Sequence, residues 1–182
     1  RSMLFLKDFF QRQAYLHKNR RHLSKSNPFI FKIDSILKVL PDAKFVFLVR
    51  DPMDTIPSYL SLQENVKFGN LLNEDELKKL RKESYAEIVE WYKETEKVKS
   101  KLLKKQFMVL TYQQITTDIQ NSIKSFYKFV DMKMTKKFEK EVEQFASKKY
   151  VKKHRNKSIE DYGLSKKQVL SDFDFVYQEY FI

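Results

Sequence analysis

The sequence predicts an α/β fold, in which helices alternate with parallel strands. Two short apolar runs carry that reading, Phe45-Val46-Phe47-Leu48-Val49 and Phe107-Met108-Val109-Leu110. Each is bounded by polar or turn-forming residues and is too short to be a helix in its own right. Around them lie segments whose apolar residues recur at steps of three and four, several opened by a capping signature. A strand that is apolar throughout implies burial on both faces, as at the centre of a parallel sheet covered by helices.

Residues 2–17 read as a helix, with Leu4, Phe5, Phe9, Tyr15 and Leu16 on a broad apolar face. A basic stretch, Lys18, Arg20, Arg21 and His22, leads into a short extended piece over 23–26. Asn27 and Pro28 read as the N-cap and first residue of the next helix. Its Ile33, Ile36, Leu37 and Leu40 keep helical spacing until Pro41-Asp42-Ala43 turns the chain. The first strand spans 44–50, and Asp51-Pro52 opens a helix through Leu62. Asn73 and Glu76 form a capping box for a long helix with the seam Leu77, Leu80, Ile88, Trp91, Val98 and Leu102. Within it Trp91 and Tyr92 are most simply core packing. Gln106–Tyr112 gives the second strand, and Thr117 with Gln120 caps a helix carrying Ile119, Ile123, Phe126 and Val130. A shorter helix over 135–147 follows. Lys148 to Lys157 then holds six Lys/Arg and one His with no acid. Ser165 and Gln168 cap the last helix, whose apolar residues are Val169, Phe173, Val176 and Tyr180. No repeat, low-complexity tract or linker interrupts the chain, so residues 1–182 read as a single domain.

Composition excludes several classes of chemistry. With 16 Phe and 10 Tyr the chain has ample material for a core, which argues against disorder. Gly69 and Gly163 are the only glycines, so no glycine-rich phosphate loop lies within these residues. The absence of cysteine removes disulfides, thiolate zinc sites and cysteine nucleophiles, and suits a reducing compartment. His17, His22 and His154 are too scattered for a metal cluster, so no metal is expected. No apolar run reaches the ~18 residues of a membrane span, and Lys7 and Asp8 interrupt the apolar start, so no signal peptide is expected. A cytoplasmic location follows as an expectation. The net charge of +12 attracts anions, whether nucleic acid, membrane headgroups or a phosphorylated small molecule. The basic residues are scattered over several elements and form no recognition helix or stacking platform, so no specific nucleic-acid partner is expected.

The chemistry concentrates at Val49-Arg50-Asp51-Pro52-Met53-Asp54-Thr55-Ile56-Pro57-Ser58. A guanidinium at the carboxyl end of a strand, followed by a helix start, lies where α/β sheets bind ligands. Arg50 can grip a phosphate in bidentate fashion, the helix start would offer free N–H groups, and Ser58 would add a hydroxyl. The competing reading pairs Arg50 with Asp51 or Asp54 and leaves Ser58 facing solvent.

Leu40–Pro52 with Pro57-Ser58 behind it resembles the 3′-phosphate-binding region of sulfotransferases dependent on 3′-phosphoadenosine 5′-phosphosulfate (PAPS). In that family an Arg at a strand end and a Ser eight residues on hold the 3′-phosphate, and they match Arg50 and Ser58. Leu23-Ser24-Lys25-Ser26-Asn27-Pro28-Phe29 resembles the K-x-P segment of bacterial members and tyrosylprotein sulfotransferases, which implies a catalytic role for Lys25 beside the transferring sulfuryl group. Leu110–Ile115 with Asp118 resembles the Y-E-D-L…D-P stretch, from which Gln113, Gln114 and Ile119 depart. His154 and Ser158–Ser165 resemble the H…S-L-E-D-F-G-L-S tail, which implies nucleotide contacts from Lys153, His154 and Arg155. The resemblance further implies a P-loop-NTPase-like three-layer α/β/α sandwich with a short parallel sheet and many helices. PAPS would be the co-substrate, adenosine 3′,5′-bisphosphate (PAP) the product, and a hydroxyl or amine the acceptor. The family's 5′-phosphosulfate loop precedes the point where this chain begins, and position 1 is Arg rather than Met, so an N-terminally truncated chain of doubtful activity is expected. His17 and His22 stay open as bases or as exposed loop histidines. Two alternatives stand beside the enzyme: a non-catalytic basic protein binding anions or nucleic acid, and a catalytically dead remnant.

Overall fold

The computed structural model describes residues 2–18, 20–67, 69–148 and 157–181. The chain divides into two compact units, Arg1–Phe45 with Glu94–Phe107, and Val46–Lys93 with Met108–Ile182.

In the first unit, helix α1 (Ser2–Leu16) is followed by a 3-10 turn over Asn27–Lys32 and by α2 (Ile33–Val39). The interior takes Ile33 and Ile36 from α2 and Val98 from the end of a long helix, all nearly inaccessible. The apolar face expected for α1 is not the covered one. Leu4, Phe5, Phe9, Tyr15 and Leu16 are exposed, while Met3, Leu6 and Phe10, spaced three and four apart on one line, are half-buried. The helix start expected at Asn27 is also displaced. Ser26 holds the cap position without a side-chain bond, the N–H of Phe29 reaches the Ser26 carbonyl at 3.2 Å, and the tighter 3-10 geometry persists until Ile33.

The strands β1 (Phe45–Val49) and β2 (Phe107–Thr111), which from Val46 and Met108 onward belong to the second unit, pair as a two-stranded parallel sheet. A parallel pair needs a crossover, supplied here by α3 (Pro52–Val66) and α4 (Glu74–Lys101), the latter running on into the first unit. The capping box at the start of α4 forms as expected. Asn73 Oδ1 accepts from the Glu76 N–H at 2.9 Å and Glu76 Oε2 from the Asn73 N–H at 3.0 Å. The expectation of strands buried on both faces is corrected. Successive side chains on a strand point oppositely, so Val49 enters the core at 5% exposure while Leu48 stands 65% exposed. The other apolar residues of the two strands, Phe45, Val46, Phe47 and Phe107 to Leu110, are half-buried.

After β2 the chain enters α5 (Tyr112–Thr117), α6 (Ile119–Phe129) and α7 (Lys136–Ala146). The cap expected from Thr117 comes instead from Asp118, whose carboxylate accepts the Asn121 N–H at 3.2 Å. A 3-10 turn over Glu160–Tyr162 closes on Gly163, whose φ of 77° falls in the left-handed region that glycine enters without a Cβ penalty. The last helix divides into α8 (Lys166–Asp172) and α9 (Asp174–Tyr180) at Phe173. The Ser165 cap on Gln168 is present. Phe173, Val169 and Val176 are fully buried against Ile56 and Leu60 of α3 and Ile88 of α4, forming the core beneath the end of β1.

Candidate functional site

Arg50 follows the buried Val49 directly, so its backbone is fixed by the strand that precedes it and the helix that follows. Asp51 is the N-cap of α3, its Oδ1 accepting the Met53 N–H at 2.8 Å. The Asp51 carbonyl accepts from the Asp54 N–H at 3.0 Å and the Thr55 N–H at 2.9 Å. Pro52 has no N–H to offer. The helix start therefore presents no free donors in its first turn, which corrects the expectation that it helps to bind an anion. Donors for an anion here come from side chains.

The Arg50 guanidinium lies over the Tyr112 ring, with Cζ 4.6 Å from the centroid, a cation–π arrangement. Its Nη2 is 3.3 Å from Asp54 Oδ2. Its Nε is buried and has no hydrogen-bond partner. Thus part of the competing reading is realised, because Arg50 does pair with Asp54. A pair of this kind at i,i+4 is worth only ~0.3–0.5 kcal/mol, and 45% of the Asp54 side chain is exposed. A charge-assisted hydrogen bond is worth about 1.5–3 kcal/mol, so this pair is weak beside the contacts a guanidinium can make. Ser58 is half-buried one turn beyond Asp54 on the same face of α3.

Three tyrosines complete the site, and the sequence assigned two of them no part in it. The Tyr92 hydroxyl donates to the Arg50 carbonyl oxygen at 2.6 Å and lies 3.1 Å from the Thr55 hydroxyl, which itself donates to the Asp51 carbonyl at 3.0 Å. Tyr177 donates to Asp51 Oδ1 at 2.8 Å. Burial pushes the Tyr92 hydroxyl up to about 12. Burial, reinforced by the Asp51 carboxylate, also raises Tyr177. Both hydroxyls stay protonated and donating at neutral pH. Tyr112, expected at the end of the second strand, instead opens α5. Its place under Arg50 follows from α5, whose start is fixed by a box in which Thr111 Oγ1 accepts the Gln114 N–H at 3.2 Å and Gln114 Oε1 the Thr111 N–H at 2.8 Å.

Lys25 is exposed in the irregular segment before the 3-10 turn and belongs to the first unit, whereas Arg50 and Ser58 belong to the second. His17 and His22 are exposed, and the His22 ring packs on Phe10 with centroids 4.2 Å apart. Lys153, His154 and Arg155 lie outside the described residues. Among those described, no three His, Asp or Glu side chains gather as a metal site would require, and no helix is long and apolar enough to cross a membrane.

The model of the sulfotransferase family matches residues 3–136. A curated relative, the omega-hydroxy-beta-dihydromenaquinone-9 sulfotransferase Stf3 of Mycobacterium bovis, is 23% identical over 123 residues, covering 68% of this chain and 32% of its own. Its Mycobacterium tuberculosis counterpart matches with the same figures of 23%, 68% and 32%. The chain thus spans about a third of the length of these relatives. Among solved structures, the sulfotransferase STF9 from Mycobacterium avium superposes with a TM-score of 0.69 at 18% identity, over 85% of this chain and 40% of that one. The α/β fold is shared with it.

Proposed function

The chain belongs to the sulfotransferase family, and we propose that it forms the 3′-phosphate-binding part of an enzyme that moves a sulfuryl group from PAPS to an acceptor hydroxyl or amine. The observation that carries this reading is Arg50, a guanidinium held over Tyr112 at the end of β1 with its buried Nε unused. Such a donor is costly to bury without a partner, and a phosphate oxygen would satisfy it. Ser58, on the same helix face as Asp54, would add its hydroxyl. The curated relatives, named as sulfotransferases of an omega-hydroxy compound, favour a hydroxyl acceptor.

In sulfuryl transfer the acceptor oxygen attacks sulfur in line with the departing phosphate oxygen. The S–O bond to the 5′-phosphate breaks, and its electron pair stays on that oxygen. Catalysis then depends on positioning and on positive charge near the leaving oxygen, the role proposed for Lys25. Lys153, His154 and Arg155 are proposed to hold the nucleotide phosphates, as the resemblance implies. PAP leaves as the product.

Calorimetry on the chain with PAP and with adenosine 5′-phosphate tests the reading. PAP binds more tightly, and Arg50→Ala removes about 1.5–3 kcal/mol from PAP binding alone. Equal affinities of the unaltered chain for the two nucleotides overturn it.

A further inference from the structure

We infer that Tyr92 and Tyr177 are positioning residues, which orient Arg50 by clamping the strand-to-helix turn that carries it. The inference rests on the reading of Arg50 as the phosphate ligand and extends it to residues that touch no nucleotide. Tyr92 reaches the turn from α4, 42 positions along the chain, and Tyr177 from α9, 126 positions from Asp51. Neither bond is local, so neither is needed to make β1 or α3.

Each hydroxyl acts on a different atom of the turn. The Tyr92 bond holds the Arg50 carbonyl, and so fixes the plane of the peptide joining Arg50 to Asp51. The Tyr177 bond holds the Asp51 carboxylate on the oxygen that also caps α3 through the Met53 N–H. Between them they fix the peptide on one side of Asp51 and the side chain of Asp51 itself. The direction in which Arg50 leaves the backbone is then set, and the guanidinium meets the Tyr112 ring and Asp54 in one geometry.

Packing alone does not require these hydroxyls. The Tyr92 ring meets Phe173 edge to face, with centroids 5.2 Å apart and planes at 89°, a contact that phenylalanine would keep. Tyr177 likewise stacks at a tilt on Phe181, with centroids 5.9 Å apart. What a phenylalanine would lose in each case is the bond to the turn. A third tyrosine supplies the contrast. Tyr85, also on α4 and also packed on Phe173, spends its hydroxyl on Asp172 at 2.7 Å, away from the turn.

The test compares Tyr92→Phe, Tyr177→Phe and Tyr85→Phe in the same chain, with two readouts. The first is the Arg50 Nε–Hε resonance by NMR, assigned with Arg50→Lys, with its chemical shift and hydrogen-exchange rate. The second is the ratio of affinities for PAP and adenosine 5′-phosphate. Tyr92→Phe and Tyr177→Phe shift the Arg50 resonance, speed its exchange, and lower the ratio about three- to tenfold each, the range of one hydrogen bond. Tyr85→Phe lowers the melting temperature but moves neither readout. An unchanged Arg50 resonance in both turn variants overturns the inference, as does a moved resonance with an unchanged ratio, or a response of Tyr85→Phe equal to theirs. If the unaltered chain does not discriminate between the nucleotides, the phosphate reading fails, and with it the functional part of the inference. The resonance still decides separately whether the tyrosines orient Arg50.

Discussion

Replacing Asp54 by Asn removes the carboxylate that faces Arg50 while keeping the side chain's shape, and the structure fixes the sign of two separate effects. The ion pair is 3.3 Å long, with 28% and 45% of the two side chains exposed. A pair of this kind contributes about 0.3–0.5 kcal/mol, which a ligand phosphate no longer has to displace in the variant. The same carboxylate repels the phosphate. At about 5 Å in a water-like medium two unit charges interact by roughly 0.8 kcal/mol, and a phosphate carries between one and two. Together the terms favour PAP binding to Asp54→Asn by about 1–2 kcal/mol, or roughly 5- to 30-fold at room temperature. Stability moves the other way. Asp54 lies in the first turn of α3, where a negative charge is worth about 0.3–1 kcal/mol, so the variant unfolds at lower urea. Calorimetry with PAP and with adenosine 5′-phosphate, beside urea unfolding, separates the effects. A PAP affinity that is unchanged or weaker refutes the reasoning. Equal tightening for both nucleotides does so too, because it would mean a general change of field and not the loss of a competitor at Arg50.

The remaining predictions concern the scaffold. Tyr92 has its ionisation raised from 10.0 to about 12 in the folded state, so the stability it adds is complete below pH 10 and is lost as pH rises through about 12. Urea midpoints measured between these limits fall with pH, and fall less steeply in Tyr92→Phe; parallel slopes contradict this. Phe173 is fully buried and takes edge contacts from both Tyr85 and Tyr92, so Phe173→Ala costs about 3–5 kcal/mol in denaturant unfolding. Gly163→Ala meets no atom within 4 Å but must hold a φ of 77°, so it costs only about 1–2 kcal/mol; a larger loss would mean that the turn is crowded after all.

What the sequence made legible was local. Asn73 with Glu76, Ser165 with Gln168, and Arg50-Asp51-Pro52 after an apolar run each announce their structure within a few residues. The family resemblance, dense around the same turn, was legible for that reason. Other local signals are present but less direct. Asp51 at an N-cap followed by Pro52 already meant that the first turn of α3 would be closed by its own cap, leaving no donors for an anion. At Thr111 the apolar run continues into Tyr112, which hid the capping box with Gln114 that starts α5 and brings Tyr112 beneath Arg50. The break at Phe173 was invisible because Val169, Phe173, Val176 and Tyr180 keep their helical spacing across it. The clamping hydroxyls lay beyond reach for a different reason. A tyrosine in an apolar seam shows where its ring goes, but the partner of its oxygen is chosen by tertiary contact over 42 or 126 positions.

The net charge of +12 explains attraction to anions but not selection among them, and the turn shows why the two must be separated. Arg50 stands there beside two carboxylates, Asp51 and Asp54, so the turn itself carries no excess of positive charge. The charge distributed over the rest of the chain draws any anion, and salt screens that pull beyond about 10 Å at 0.1 M. On the proposed reading, discrimination in favour of a 3′-phosphate comes from orientation. A free arginine side chain carries about 2 kcal/mol of rotamer entropy, enough to cancel most of the gain from a phosphate contact. Arg50, packed over Tyr112 with its carbonyl held by Tyr92, has lost much of that freedom on folding. On the proposed reading a phosphate contact then expresses more of its intrinsic strength, which is how Tyr92 and Tyr177, which hold the turn, enter the account of the site.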